Sequence, residues 1–74
     1  MARKVSTKEI IATNLDKAIG KTGLGKNAIA DKAGVSRSQL YDVLAARKAP
    51  TIDWLDRMSK VLDVETYALL RPGR

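Results

Sequence analysis

The chain contains no cysteine and no histidine, and tryptophan and tyrosine together supply only three aromatic residues in 74. Without thiols there are no disulfides and no thiolate nucleophiles; without imidazole there is no histidine base and no common zinc site. Chemistry is left to hydroxyls and carboxylates. The four serines have no histidine to activate them, and the eight acidic residues show no paired setting that would raise a pKa for acid–base work. The residues therefore point away from an enzyme, and no cofactor or metal is expected. No apolar run approaches the ~20 residues needed to cross a bilayer, and the basic N-terminus leads into no apolar stretch of signal-peptide type. A soluble, cytoplasmic protein with no membrane role is the expectation. So few aromatics offer no stacking platform for single-stranded RNA.

What is present is positive charge, and it is unevenly placed. The formal net charge is +6. Residues 1–48 hold ten bases against four acids, whereas residues 49–74 hold four of each. A basic half beside a neutral one suits a polyanion such as nucleic acid, although a solvated basic surface that binds nothing anionic has the same composition. The length allows one small domain, with no room for a second, ligand-sensing one.

Helix signals recur along the chain, and no segment alternates apolar with polar residues as a half-buried strand would, so the class is all-α. Ser6-Thr7-Lys8-Glu9 has capping-box spacing, and Ile11, Leu15, Ala18 and Ile19 follow at helical intervals, predicting a first helix over about 7–21. Gly23 can close it in the left-handed conformation, and Leu24 is expected to plug the core from the turn. A short second helix over about 26–33 places Ile29, Ala30 and Ala33 on one face. Gly34 interrupts, and Ser36-Arg37-Ser38-Gln39 is a second potential capping box, opening a third helix over 36–46. Leu40, Val43 and Leu44 form its buried side; Arg37, Ser38, Tyr41, Asp42 and Ala45 form a polar outer face. Pro50 ends that segment. Thr51 then caps a fourth helix to Leu62 with Ile52, Leu55, Met58, Ser59 and Leu62 inward, and residues 65–70 make a fifth with Leu69 and Leu70 inward. Residues 1–6 read as a flexible basic arm, 7–70 as the domain, and 71–74 as a frayed tail.

The second and third helices carry the decisive pattern. Ala30 is small where a second helix must cross at ~90 to 120°, and Gly34 supplies the sharp turn between them. Val35, Leu40 and Val43 close the wedge between the helices, with Ile29 and Ala33 opposite. A generic helical hairpin needs neither the alanine nor the glycine at those sites, nor a polar outer face.

On these residues the chain resembles the lambda-repressor-like helix-turn-helix family, the Cro and repressor (XRE) type. Thr22-Gly23-Leu24-Gly25-Lys26 stands where that family leads into its second helix, and Ala33-Gly34-Val35-Ser36 matches its turn. Pro50-Thr51-Ile52, Leu55, Met58, Leu62, Val64 and Leu69-Leu70 follow its fourth and fifth helices in register. Four departures stand out. Gly25 replaces the usual hydroxyl cap. Lys26 replaces the common glutamine and suggests a plain phosphate contact; Ala45-Ala46-Arg47-Lys48-Ala49 lacks the usual acidic residue and glycine; Thr66 and Tyr67 invert the usual apolar–polar order.

The resemblance implies a compact five-helix DNA-binding domain whose third helix lies in the major groove while the second crosses the backbone. Arg37 is then placed for guanine O6 and N7, or alternatively for a phosphate. Ser38 is placed for a base or phosphate, and Asp42 either accepts from cytosine N4 or is an ordinary helix charge. Lys26 and Asn27 with the free amides at the start of the second helix form a phosphate seat; Ser36, Tyr41, Arg47, Lys48 and the arm residues Arg3 and Lys4 are further backbone candidates. Tyr41 could equally serve packing alone. One recognition helix reads few base pairs, so a homodimer on a palindromic operator is implied. Trp54 and Tyr67 are candidates for an exposed aromatic interface, unless they pack on each other within the chain. The function implied is a sequence-specific regulator of transcription, a repressor of phage, prophage or plasmid type. The alternative is an antitoxin that uses the same motif for autoregulation and binds a toxin protein through its C-terminal half.

Overall fold

The computed structural model describes residues 6–72. The expected arm residues Arg3 and Lys4 and the last two residues of the tail lie outside them. Five helices follow in order: α1 (Thr7–Thr22), α2 (Lys26–Ala33), α3 (Arg37–Leu44), α4 (Ile52–Leu62) and α5 (Thr66–Leu70), with no strand among the described residues. None of these helices is long and apolar enough to cross a membrane.

Local chemistry sets most of the boundaries. At α1 the Ser6 hydroxyl accepts from the Glu9 N–H at 3.2 Å while the Glu9 carboxylate accepts from the Ser6 N–H at 3.2 Å, completing the capping box. Gly23 closes α1 at φ 75°, a left-handed conformation that glycine adopts without a Cβ penalty. The helix runs one residue beyond the expected Lys21 because the Thr22 hydroxyl donates to the Ile19 carbonyl at 2.7 Å. That hydroxyl also accepts from the Leu24 N–H at 3.0 Å, which holds the link against the last turn of α1. Leu24 itself is exposed and does not plug the core.

At α3 the expected span 36–46 contracts at both ends. Ser36 is the N-cap, outside the helix, and its hydroxyl accepts from the Gln39 N–H at 3.2 Å. Among the described residues the reciprocal bond from the Gln39 side chain is not made, so only half of the second capping box forms. The C-terminal end is set by Ala46 at φ 60°, a left-handed alanine where the family resemblance leads one to look for glycine. Such a residue costs roughly 1–2 kcal/mol.

One core joins all five helices. Ile11, Leu15 and Ile19 of α1, Ile29, Ala30 and Ala33 of α2, Leu40 and Val43 of α3, Trp54, Leu55, Met58 and Leu62 of α4 and Leu69 of α5 are buried together. Leu44 and Leu70, expected inward, are half-buried at its edge. α1 packs on α3, α4 and α5, and α2 packs on α3 and α4. This leaves α4 flanked by α2 on one side and by α1 and α5 on the other, so it buries a broader arc than one stripe. Trp54, 5% exposed, is drawn under the α2–α3 turn, where Gly34, Val35 and Gln39 line the same recess. Ile52 has the angular position of the stripe but stands at the first residue of α4, beyond the elements that cover Leu55 and Met58. It is 59% exposed, contrary to the expected inward placement.

α5 begins at Thr66, with Glu65 as its N-cap. The inverted Thr66–Tyr67 order now has a reason. The Thr66 hydroxyl donates to the Asp56 carboxylate at 2.6 Å and lies 3.1 Å from the Ser59 hydroxyl, so the threonine faces α4 and the tyrosine faces outward. From the other side, the Asn14 side-chain amide donates to the Leu69 carbonyl at 3.0 Å and the Arg71 carbonyl at 2.7 Å. These bonds satisfy carbonyls at the open end of α5 and tie it to α1.

Candidate nucleic-acid interface

The α2–α3 unit is built as its residues dictate. Ala30 is fully buried at the crossing, and Gly34 turns the chain at φ 71°, with its N–H directed to the Ala30 and Asp31 carbonyls. The Val35 N–H donates to the Ala30 carbonyl at 3.0 Å, completing the turn. A Cβ on Gly34 would meet nothing closer than Arg57 Nη1 at 3.7 Å, an ordinary contact, so the backbone conformation and not crowding calls for glycine here.

α3 buries Leu40 and Val43 and turns Arg37, Ser38 and Tyr41 outward. Arg37, its first residue, reaches back across the turn to Asp31 of α2. Nε donates to Oδ1 at 3.3 Å and Nη2 to Oδ2 at 2.9 Å. These hydrogen bonds hold the Asp31 carboxyl below its ordinary range and raise the Arg37 guanidinium further above its own. Both groups stay charged at neutral pH. Asp31 was not singled out by sequence reasoning, because an acid six residues before an arginine falls in neither helical nor capping register. Only the glycine turn brings the two together.

Tyr41 and Asn27 are also joined: the phenol donates to the Asn27 side-chain oxygen at 2.6 Å, fastening the middle of α3 to the first turn of α2. The Asn27 amide nitrogen keeps its donors, with no partner among the described residues. Lys26 opens α2 behind Gly25, which caps without a side chain, so the first-turn N–H groups have no side-chain acceptor. Lys26 and Tyr41 line a shallow groove of about 530 Å³ together with Thr13, Asp16 and Lys17 of α1 and Ala45. Thr13 and Lys17 were not legible as part of this surface in the sequence, where only their place on the polar side of α1 could be read.

At the far end of α3, Asp42 gathers the two cations that follow the helix. Arg47 Nε lies 3.1 Å from Oδ1 and Lys48 Nζ lies 3.6 Å from Oδ2. The Arg47 N–H also donates to the Asp42 carbonyl at 2.9 Å, which fixes the loop that Ala46 begins. The exposed face of α3 thus has Arg37 at its N-terminal end, while Lys17 and Lys26 across the groove and Arg47 and Lys48 after the helix gather beside its C-terminal half.

Two expected interface residues separate. Tyr67 is 62% exposed, with the Arg71 guanidinium 5.8 Å from its ring centroid, whereas Trp54 is in the core. They form neither a joint exposed patch nor an exposed pair. No group of three or more acidic residues that could hold a metal ion occurs among the described residues.

The comparisons with known proteins agree with this geometry. The HTH_3 family model, described as helix-turn-helix, matches residues 15–69. No curated protein sequence matches the chain. Among solved structures, a hypothetical transcription factor from Neisseria, NHTF, superposes with a TM-score of 0.86 at 22% identity, over 90% of this chain and 75% of that one. At that identity the likeness is one of fold. An HTH_3 family transcriptional regulator from Vibrio cholerae superposes with a TM-score of 0.80 at 28% identity, over 85% of this chain but 35% of that one. With the family match running from the second half of α1 through the helix-turn-helix and α4 to Leu69, the chain belongs to the HTH_3 helix-turn-helix family.

Proposed function

We propose that this protein is a sequence-specific regulator that binds double-stranded DNA with α3 in the major groove, and that it acts as a repressor with two copies on a palindromic operator. The observation that carries the reading is the exposed α3 face, with Arg37 and Ser38 at its N-terminal half and Lys17, Lys26, Arg47 and Lys48 beside its C-terminal half. That layout sets side chains able to reach base edges next to cations able to hold the phosphate backbone. Arg37 is the guanine reader and Ser38 a shorter contact. Lys26, Asn27, Ser36, Tyr41, Arg47 and Lys48 contact phosphates. Asp42, engaged by Arg47 and Lys48, is assigned first to ordering those cations and second to reading cytosine. Repression needs no more than occupancy of the operator, and such a regulator works in the cytoplasm on chromosomal or phage DNA.

A single recognition helix selects too few base pairs for a genome, which is the reason for two copies. The contact between them is placed on the neutral C-terminal side, where Tyr67 is exposed. The toxin-binding alternative asks for a larger apolar surface in that same half. With Trp54 buried, that surface lacks its largest member, and the regulator reading is preferred.

Selection from a randomised duplex pool at about physiological salt tests the proposal. We expect an inverted repeat to emerge, its half-sites about one helical turn apart, and expect Arg37→Ala to erase the preference at one guanine in each half-site. If sequencing of the bound pool yields no preferred bases, α3 is not a base reader and the proposal fails.

A further inference from the structure

The ion pair between Arg37 and Asp31 is hard to explain as a stabilising device. Asp31 lies in the last turn of α2, where the helix dipole disfavours an anion, and Arg37 is the first residue of α3, where the dipole disfavours a cation. Each charge stands at the wrong end of its own helix. Both side chains are more than half exposed, at 61% and 55%, and exposed pairs contribute little to stability. Near a polyanion, Asp31 also opposes binding.

The geometry of the pair suggests what offsets these penalties. A guanidinium presents five N–H donors in a planar fork. Asp31 takes the side edge, through Nε and one N–H of Nη2. The end edge, formed by Nη1 and the second N–H of Nη2, has no partner among the described residues, and it can donate two parallel hydrogen bonds of the kind that guanine O6 and N7 accept. An arginine held this way has lost much of its rotamer freedom before DNA arrives, and it is restrained from swinging aside to a phosphate.

We propose that Asp31 is a specificity-determining positioning residue, which grips Arg37 by its side edge so that the end edge meets guanine already ordered. This rests on Arg37 being the base reader proposed above. Asp31 weakens attraction to any duplex and sharpens the choice among duplexes. Those effects have opposite signs, whereas damage to the fold would lower both affinity and selectivity.

The experiment passes the unaltered protein, Asp31→Ala, Arg37→Ala and the double variant through the same randomised-duplex selection. It then measures affinities for the selected site, for that site with the Arg37-dependent guanine pair replaced, and for a random duplex. Asp31→Ala is expected to lower discrimination at that one pair by about 2- to 10-fold and to raise affinity for the random duplex by about 2-fold. Its thermal midpoint should be unchanged or higher, since an anion leaves the C-terminal turn of α2. In the Arg37→Ala background the same change should leave discrimination at that pair untouched. If Arg37→Ala alters no position of the motif, the base-reading proposal fails and this one with it. If Arg37→Ala erases one position while Asp31→Ala keeps full discrimination there, or tightens specific and random binding alike, the reading of Arg37 stands and the role given to Asp31 is overturned.

Discussion

Leu40→Ala is expected to remove about 3 kcal/mol of folding free energy, within the range of buried leucine truncations. Leu40 is fully buried at the centre of α3, in the core it shares with Ile29, Ala30 and Val43. The side chains that would collapse into the space belong to α1 and α2 as well as α3, so relaxation is limited. A single domain of 74 residues has roughly 4–11 kcal/mol to lose. The thermal midpoint followed by far-ultraviolet circular dichroism should therefore fall by about 10–25 °C. Ser38→Ala, an exposed change two residues earlier, is expected to stay within about 0.5 kcal/mol of the unaltered protein. A loss below about 1 kcal/mol for Leu40→Ala would mean that α3 is not held to the bundle in the way described.

Duplex affinity should fall by about 10³-fold between 50 and 200 mM salt. Lys26, Arg47 and Lys48 would neutralise three phosphates per copy and six for two copies on one site, and each neutralised phosphate contributes about −0.9 to the slope of log affinity against log salt. Arg47→Ala should flatten that slope by about 2 units for the paired copies. It should do so on selected and random duplexes alike, since phosphates carry no sequence. Anisotropy titrations of a labelled duplex at four or five salt concentrations measure the slope directly. A slope shallower than about −2 would place most of these cations away from the backbone. Arg37→Ala is expected to differ in kind, changing the preferred base more than the slope.

Much of the architecture was legible in the residues, because the signals that carried it were local. Ser6 with Glu9, Gly23, Gly34 and Thr51 each bring their own boundary chemistry, and the structure places helix ends at all of them. Ala30 and Gly34 marked the crossing and the turn for the same reason: each answers a steric demand of the backbone beside it. What could not be read was what depends on distant neighbours. Ile52 and Trp54 lie two positions apart on α4, and helical periodicity assigns the first to the core and the second outside it. The reverse holds, because α2 covers one flank of α4 while its first residue is left exposed among the described residues. Likewise the place of Thr66 is explained only by Asp56 and Ser59 beside it. Leu24 shows the converse, an apolar residue of the α1–α2 link that stays at the surface.

The candidate site divides in the same way. Arg37, Ser38 and Tyr41 followed from the spacing of the outer face, but the partners that constrain them, Asp31 and Asn27, come from the other helix across the turn. Arg47 and Lys48 followed as backbone candidates from their place after the helix, but their ordering on Asp42 did not.

The central claim is that DNA meets the α3 face and the first turn of α2. Titration of a duplex into the ¹⁵N-labelled protein, followed through its backbone amide signals and the Arg37 Nε–H signal, tests it most directly. The account predicts the largest shifts at Arg37, Ser38 and Tyr41, at Lys26 and Asn27, and at Arg47 and Lys48, with the amides of α5 unmoved unless a second copy docks there. Shifts centred on α5 and the outer face of α4, with Arg37 and Ser38 silent, would contradict it.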